Sequence, residues 1–117
     1  MILLIAVFRL HIVPSGAPKN VTAVRAGARG ILVTWKPVLS SDQNGIIIYY
    51  TVYYRAVKGN NENDAEQSLR INASLTRVKL SQLEEYVTYN VSMSASTSVG
   101  EGPRSTDVLE RTAEASE

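Results

Sequence analysis

The stretch LSQLEEYVTYNVSMSA, residues 80–95, decides the fold of this chain. From Tyr89 onward it alternates between apolar and polar residues, with Tyr89, Val91, Met93 and Ala95 at the odd positions and Asn90, Ser92 and Ser94 at the even ones. A period of two places one face of a β-strand in a core and the other face in water. The Tyr89 hydroxyl must then find a hydrogen-bond partner, because an unpaired buried phenol costs free energy.

Similar alternation recurs on both sides of this stretch, between turns rich in glycine, proline and asparagine. The predicted strands are residues 19–26, 31–37, 46–55, 68–71, 75–80 and 105–112. In the third of these, Ile48, Tyr50, Val52 and Tyr54 form the inward set. No 11-residue window shows a convincing 3.6-residue period, so no helix is predicted. Short strands at this spacing predict an all-β, seven-stranded, immunoglobulin-like sandwich of two antiparallel sheets.

Size and composition bound the possibilities further. A chain of 117 residues forms one domain and buries enough surface to fold without a metal or a disulfide. Its net charge of +1 gives no reason to expect nucleic acid. The absence of cysteine excludes a disulfide scaffold, a thiolate zinc site and a cysteine nucleophile.

The N-terminal segment differs from the rest of the chain. Residues 2–8 are all apolar, but a bilayer span takes about 20 residues. A basic region is missing, so residues 1–16 are interpreted as an apolar leader or linker, with a poorly formed signal peptide as the alternative. The domain is predicted over residues 17–113, followed by a frayed tail at 114–117.

The order of these signals resembles the fibronectin type III domain. The resemblance covers residues 17–113 and rests on Pro18, V-T-A, Ile31-x-Val33-x-Trp35, Pro37, Tyr50-x-Val52-x-Tyr54-Arg55, Leu80-x-x-Leu83, Tyr89-x-Val91-x-Met93-x-Ala95 and Gly100-x-Gly102-Pro103. The missing cysteines favour this family over immunoglobulin domains, whose core tryptophan lies against a disulfide.

The resemblance implies structural roles for four residues. Tyr89 would be the tyrosine corner, whose hydroxyl bonds to backbone in the turn just upstream, with Leu83 six residues before it. Trp35 would be the core tryptophan and Tyr50 an inward strand residue. Glu85 and Val87 depart from the family pattern in that turn. Glu110 stands where the last strand is often apolar.

Catalytic chemistry is not supported by the residues present. The one histidine, His11, lies in the leader, and no motif for a phosphate or a metal is present. Glu62, Asp64 and Glu66 alternate in a loop but match no cation-binding pattern. The chain is therefore predicted to be no enzyme and to need no cofactor.

Three N-x-S/T sequons begin at Asn20, Asn72 and Asn90, where chance gives about one from seven asparagines and twenty serines plus threonines. Each is predicted to be exposed and open to a glycan in a secreted protein. Asn90 is predicted on the outer face of its strand.

Two outer surfaces are candidates for binding a partner. Tyr49, Tyr53 and Arg55 face outward from one predicted strand, and exposed tyrosines are enriched at interfaces, although aromatics also simply suit strand surfaces. The opposite sheet shows outward cations, which suit either a weak heparin-like patch or a solvated face. These are Lys36, Arg77 and Lys79, with Arg25 and Arg29 near one end.

The resemblance implies a non-catalytic protein-binding or spacer module of an extracellular adhesion molecule or receptor ectodomain. Protein partners and neighbouring tandem domains are expected, without nucleic acid and without membrane insertion by the folded domain. The C-terminal ERTAE is similar to module junctions in neural adhesion molecules and receptor-type tyrosine phosphatases. The alternatives are an accessory linker of a multidomain enzyme and an intracellular sarcomeric-type module.

Overall fold

Seven antiparallel strands form two sheets in a computed structural model, which describes residues 12–59 and 65–115. The strands are β1 Lys19–Arg25, β2 Ile31–Lys36, β3 Tyr49–Val57, β4 Gln67–Asn72, β5 Arg77–Leu80, β6 Thr88–Ser96 and β7 Val108–Arg111. One sheet has the order β1-β2-β5 and the other β4-β3-β6-β7. The predicted seven-stranded sandwich is confirmed.

The core lies between the two sheets and follows from the alternation of the strands. Its buried apolar side chains include Ile31, Val33 and Trp35 from one sheet and Tyr50, Val52, Val91 and Met93 from the other. The rings of Trp35 and Tyr50 meet edge to face, with centroids 5.4 Å apart. Burial raises the pKa of the Tyr50 hydroxyl.

Tyr89 holds the turn between β5 and β6. The backbone N–H of Glu84 donates a 2.9 Å hydrogen bond to the Tyr89 hydroxyl oxygen, and Leu83 is buried beside it. Thr112 secures the same turn from the end of β7. Its hydroxyl donates to the Glu84 carbonyl at 2.7 Å and accepts from the Val87 N–H at 3.0 Å. Val87, one of the two atypical residues of this turn, thus gains a partner from a distant threonine.

Two local predictions were wrong. One helical turn, α1 Ser40–Gln43, follows β2 where no helix was predicted. The strand predicted from residue 46 begins at Tyr49, and Ile48, predicted inward, is 46% exposed. Ile48 lies just before the first residue of β3 and lines an open depression at that end of the molecule.

The ends of the chain bear on the predicted boundaries, which stay a prediction. Pro14 is buried, and Ser15 N–H donates to the Asp42 carbonyl at 2.8 Å, so residues within the predicted leader contact the sandwich. Residues 1–11 and 116–117 lie outside the described residues. Among residues 12–59 and 65–115, no helix combines the length and apolar character needed to cross a bilayer.

Candidate interaction surfaces

The outer side of the four-stranded sheet carries the residues that were predicted to meet a partner. We call this surface the tyrosine face, which comprises Tyr49, Thr51, Tyr53 and Arg55 of β3 with Ser92, Ser94 and Ser96 of β6. It is far more covered than alternation suggests, because all three serines and Thr51 are buried and the three remaining β3 residues are half-buried.

The segment after β6 provides much of that cover. The Arg104 guanidinium lies 3.4 Å from the centre of the Tyr53 ring and forms two hydrogen bonds to Glu66, at 2.8 and 3.0 Å. The Glu101 carboxylate accepts hydrogen bonds from the hydroxyls of Tyr53 and Ser94. Arg104, Glu66 and Glu101 are thus engaged with groups of the domain itself.

The electrostatics of Glu101 follow from these contacts. Partial burial alone would raise the pKa of its carboxyl, but donation from Ser94 and Tyr53 and the charges of Arg104 and Arg70 outweigh that effect. The pKa of Glu101 therefore lies below its ordinary value. Partial burial, followed by the neighbouring Glu101 carboxylate, raises the pKa of Tyr53.

The other two predicted partner-binding residues on this face differ in their surroundings. Arg70 stacks 4.4 Å above the centre of the Tyr49 ring. The Arg55 side chain borders a small polar depression beside Asn90 and Asp107, and its buried Nε has no hydrogen-bond partner within the described residues. A partner of the tyrosine face would have to displace the chain's own arginines, so this binding role stays a prediction.

The three sequons occupy different environments. Asn72 is exposed in the turn after β4, and its side-chain oxygen accepts a 2.8 Å hydrogen bond from Ser74 N–H. Asn20 is exposed at an irregularity of β1, with φ of 51°. Asn90 is half-buried, and its amide Nδ2 donates to Asp107 at 3.2 Å. Expected exposure is present at the first two and is only partial at Asn90.

The outer side of the three-stranded sheet carries the predicted cations. Lys36, Arg77 and Lys79 are exposed there, and Lys19 lies directly opposite Lys36 across the β1–β2 pair. We call these four residues with the intervening Thr22 and Thr34 the basic face. Arg25 and Arg29 are exposed near one end, and Arg29 approaches Glu85 at 3.7 Å.

A surface that sequence reasoning missed lies at the end where the chain enters the described fold. Ile12, Ile46, Ile48 and Val99 line a depression of about 550 Å³. Ile46 is 81% exposed and Val99 57%. We call this surface the apolar end. The run of three isoleucines at 46–48 could have signalled it, but their position ahead of an alternating stretch predicts a longer strand instead.

No group of three or more histidine, cysteine, aspartate or glutamate residues that could hold a metal is present in the described ranges.

Comparison with known proteins gives the same assignment as the geometry. The family model described as the fibronectin type III domain matches residues 16–111. Protein sidekick-2 of Gallus gallus is 38% identical over 109 residues, or 93% of this chain and 5% of that protein. Receptor-type tyrosine-protein phosphatase F of Mus musculus is 38% identical over 103 residues, or 86% of this chain and 5% of that protein.

Solved structures agree with the fold. The third fibronectin III domain of human KIAA0343 protein superposes with a TM-score of 0.78 at 28% identity, covering 87% of this chain and 85% of that one. The chain spans about 5% of the length of the curated relatives it matches, so those proteins are many times longer. The predicted family is confirmed, and the chain belongs to the fibronectin type III domain family.

Proposed function

We propose that this chain is a non-catalytic spacer and protein-binding module in the ectodomain of a cell-surface receptor or adhesion molecule. The observation that carries the proposal is the 38% identity to a receptor-type phosphatase over the length of one module. The described residues contain no histidine and no cysteine, which removes the commonest general base and the strongest side-chain nucleophile from the folded part.

The sequons support an extracellular location. Asn72 presents its amide on an exposed turn, and only its oxygen is engaged within the described structure. A glycan on Nδ2 would therefore extend into solvent without breaking a hydrogen bond to another side chain. Asn90 differs, because a glycan on its Nδ2 would displace Asp107 from a half-buried site.

The apolar end supports a place in a longer array of domains. A tethered neighbour reaches a high effective concentration at the point of attachment. Whatever precedes Ile12 in a longer chain is tethered beside Ile46 and Val99, two of the more exposed large apolar residues of the described structure. Exposed apolar patches of this kind mark contact sites in soluble proteins. The surface thus fits the flank of a preceding module.

The test is expression in a eukaryotic secretory host, followed by mass analysis of peptides before and after removal of N-glycans. We expect a glycan on Asn72 and little or none on Asn90. Asn72→Gln and Ser74→Ala form a matched pair, since each destroys the same sequon at a different residue. Either substitution alone should abolish the glycan on Asn72. A secreted protein with no sugar at any of the three sequons would favour the intracellular alternative.

A further inference from the structure

The three strands β1, β2 and β5 have an unusual charge composition. They contain five of the chain's twelve basic residues and none of its eleven acidic ones. The rest of the chain therefore holds seven basic and eleven acidic residues. The small net charge of +1 conceals two oppositely charged parts, and net charge alone does not report what each surface attracts.

The register gathers four of these cations on the basic face. Arg77 is the partner of Thr34, Lys79 is the partner of Leu32, and Lys36 follows two residues after Thr34. Strand geometry separates side chains two residues apart by about 7 Å and neighbouring strands by about 4.8 Å. The row from Lys79 through Arg77 and Lys36 to Lys19 thus extends over roughly 20 Å.

None of these four cations forms an ion pair with a described residue, whereas several cations elsewhere do. Arg104 binds Glu66, Lys58 approaches Glu84, and Arg29 approaches Glu85. Adjacent members of the row are separated by about 5 to 8.5 Å, which is close to the screening length of about 8 Å at physiological salt, so their potentials add. Four like charges held this close repel one another, and an external polyanion would relieve that repulsion.

The chemistry of the face selects among polyanions. Single-stranded nucleic acids gain affinity from bases stacked on aromatic rings. The only aromatic residue of these three strands is Trp35, which is buried and points into the core. Exposed Thr22 and half-buried Thr34 supply hydroxyls between the cations instead. This arrangement suits a chain of anionic groups without bases.

We propose that the basic face binds a sulfated polysaccharide, the extended polyanion of cell surfaces, through Lys19, Lys36, Arg77 and Lys79. The choice of polysaccharide rests on the proposed extracellular function, while the charge complementarity rests on the geometry alone. Because affinity is measured on purified protein, the binding result does not depend on the glycan analysis that tests location.

The experiment compares the unglycosylated full chain with Lys36→Gln/Lys79→Gln, using heparin octasaccharide as the probe and calorimetry at several salt concentrations. The unglycosylated chain is used because Asn20 borders the face. We expect the double variant to bind about tenfold more weakly in dilute buffer, and the slope of log affinity against log salt to fall by roughly one per removed cation.

The matched control is Arg70→Gln/Arg111→Gln, which removes the same charge from exposed strand positions of the other sheet. The proposal predicts nearly unchanged affinity for this variant and weak binding of desulfated heparin by the wild type. Equal losses in both double variants would overturn it, as would equal affinity for poly-glutamate. Failure of the wild type to bind heparin at physiological salt would also overturn it.

Discussion

The outer faces of the two sheets differ in how their charged side chains are engaged. On the tyrosine face, Arg104 is stacked on Tyr53 and paired with Glu66, and Glu101 accepts hydrogen bonds from two hydroxyls. On the basic face, four exposed cations form no ion pair with any residue that the structure describes. We expect the contacts of the first face to stabilise the domain, whereas the cations of the second are the ones that we propose to bind a polyanion.

The largest expected effect on stability comes from a buried tyrosine outside both faces. Tyr89→Phe removes the oxygen that accepts from Glu84 N–H and leaves that donor in a partly buried turn. We expect a loss of about 2 kcal/mol in the free energy of unfolding, measured by urea denaturation. Tyr54→Phe is the control, because the Tyr54 hydroxyl has no hydrogen-bond partner among the described residues. If Tyr54→Phe lowered the free energy of unfolding by as much, the hydrogen bond of Tyr89 would not explain the loss.

The tyrosine face should show intermediate effects. Arg104→Gln removes both the stack on Tyr53 and the pair with Glu66, two exposed interactions. We expect a loss of about 1 kcal/mol in the same urea assay. Tyr53→Phe keeps the ring and removes only the hydrogen bond to Glu101, so its loss should be smaller. If both variants were as stable as the wild type, the contacts of this face would contribute nothing and the contrast between the faces would fail.

Acid should weaken the tyrosine face selectively. The pKa of Glu101 is lower in the folded chain than its ordinary value of 4.5, so its carboxylate stabilises the fold above pH 4.5. That contribution is lost as the pH falls through the folded pKa. In urea titrations at several pH values, Glu101→Gln should be less stable than the wild type at pH 7, and the difference should shrink below pH 4.5. A constant difference across this range would show that ionisation of Glu101 plays no part.

The basic face should show the smallest effect on stability. Lys36→Gln/Lys79→Gln breaks no ion pair with a described residue and relieves repulsion, so the free energy of unfolding should change by less than about 0.5 kcal/mol. Thermal and urea unfolding of this variant beside Arg104→Gln give the direct contrast. A loss comparable to that of Arg104→Gln would show that the lysines hold the fold together.

Sequence reasoning reached the strands and the core because both follow from local alternation. Tyr89, Trp35 and Tyr50 could each be placed from neighbours two residues away, and all three are buried. The partner of the Tyr89 hydroxyl lies only five residues upstream, which made it accessible to the family pattern.

The parts that could not be predicted depend on distant segments. Alternation determines which residues face outward, but it does not say whether a loop folds over them. Glu101 reaches Tyr53 across 48 positions and Thr112 reaches Glu84 across 28. For the same reason Ser94, outward by parity, is fully buried beneath Glu101. The apolar end was not predicted, because Ile48 continues the alternation of the strand that follows it. The strand itself begins at Tyr49, so Ile48 lies outside it.

The most direct test of the contrast between the two faces is a titration of the isotope-labelled chain with a heparin hexasaccharide, followed by backbone amide chemical shifts. We expect the shifts to concentrate in β1, β2 and β5, around Lys36 and Lys79, and to leave β3 and β6 unchanged. Shifts centred on Tyr53 and Arg104 would contradict this expectation, because the tyrosine face would then be the one that binds.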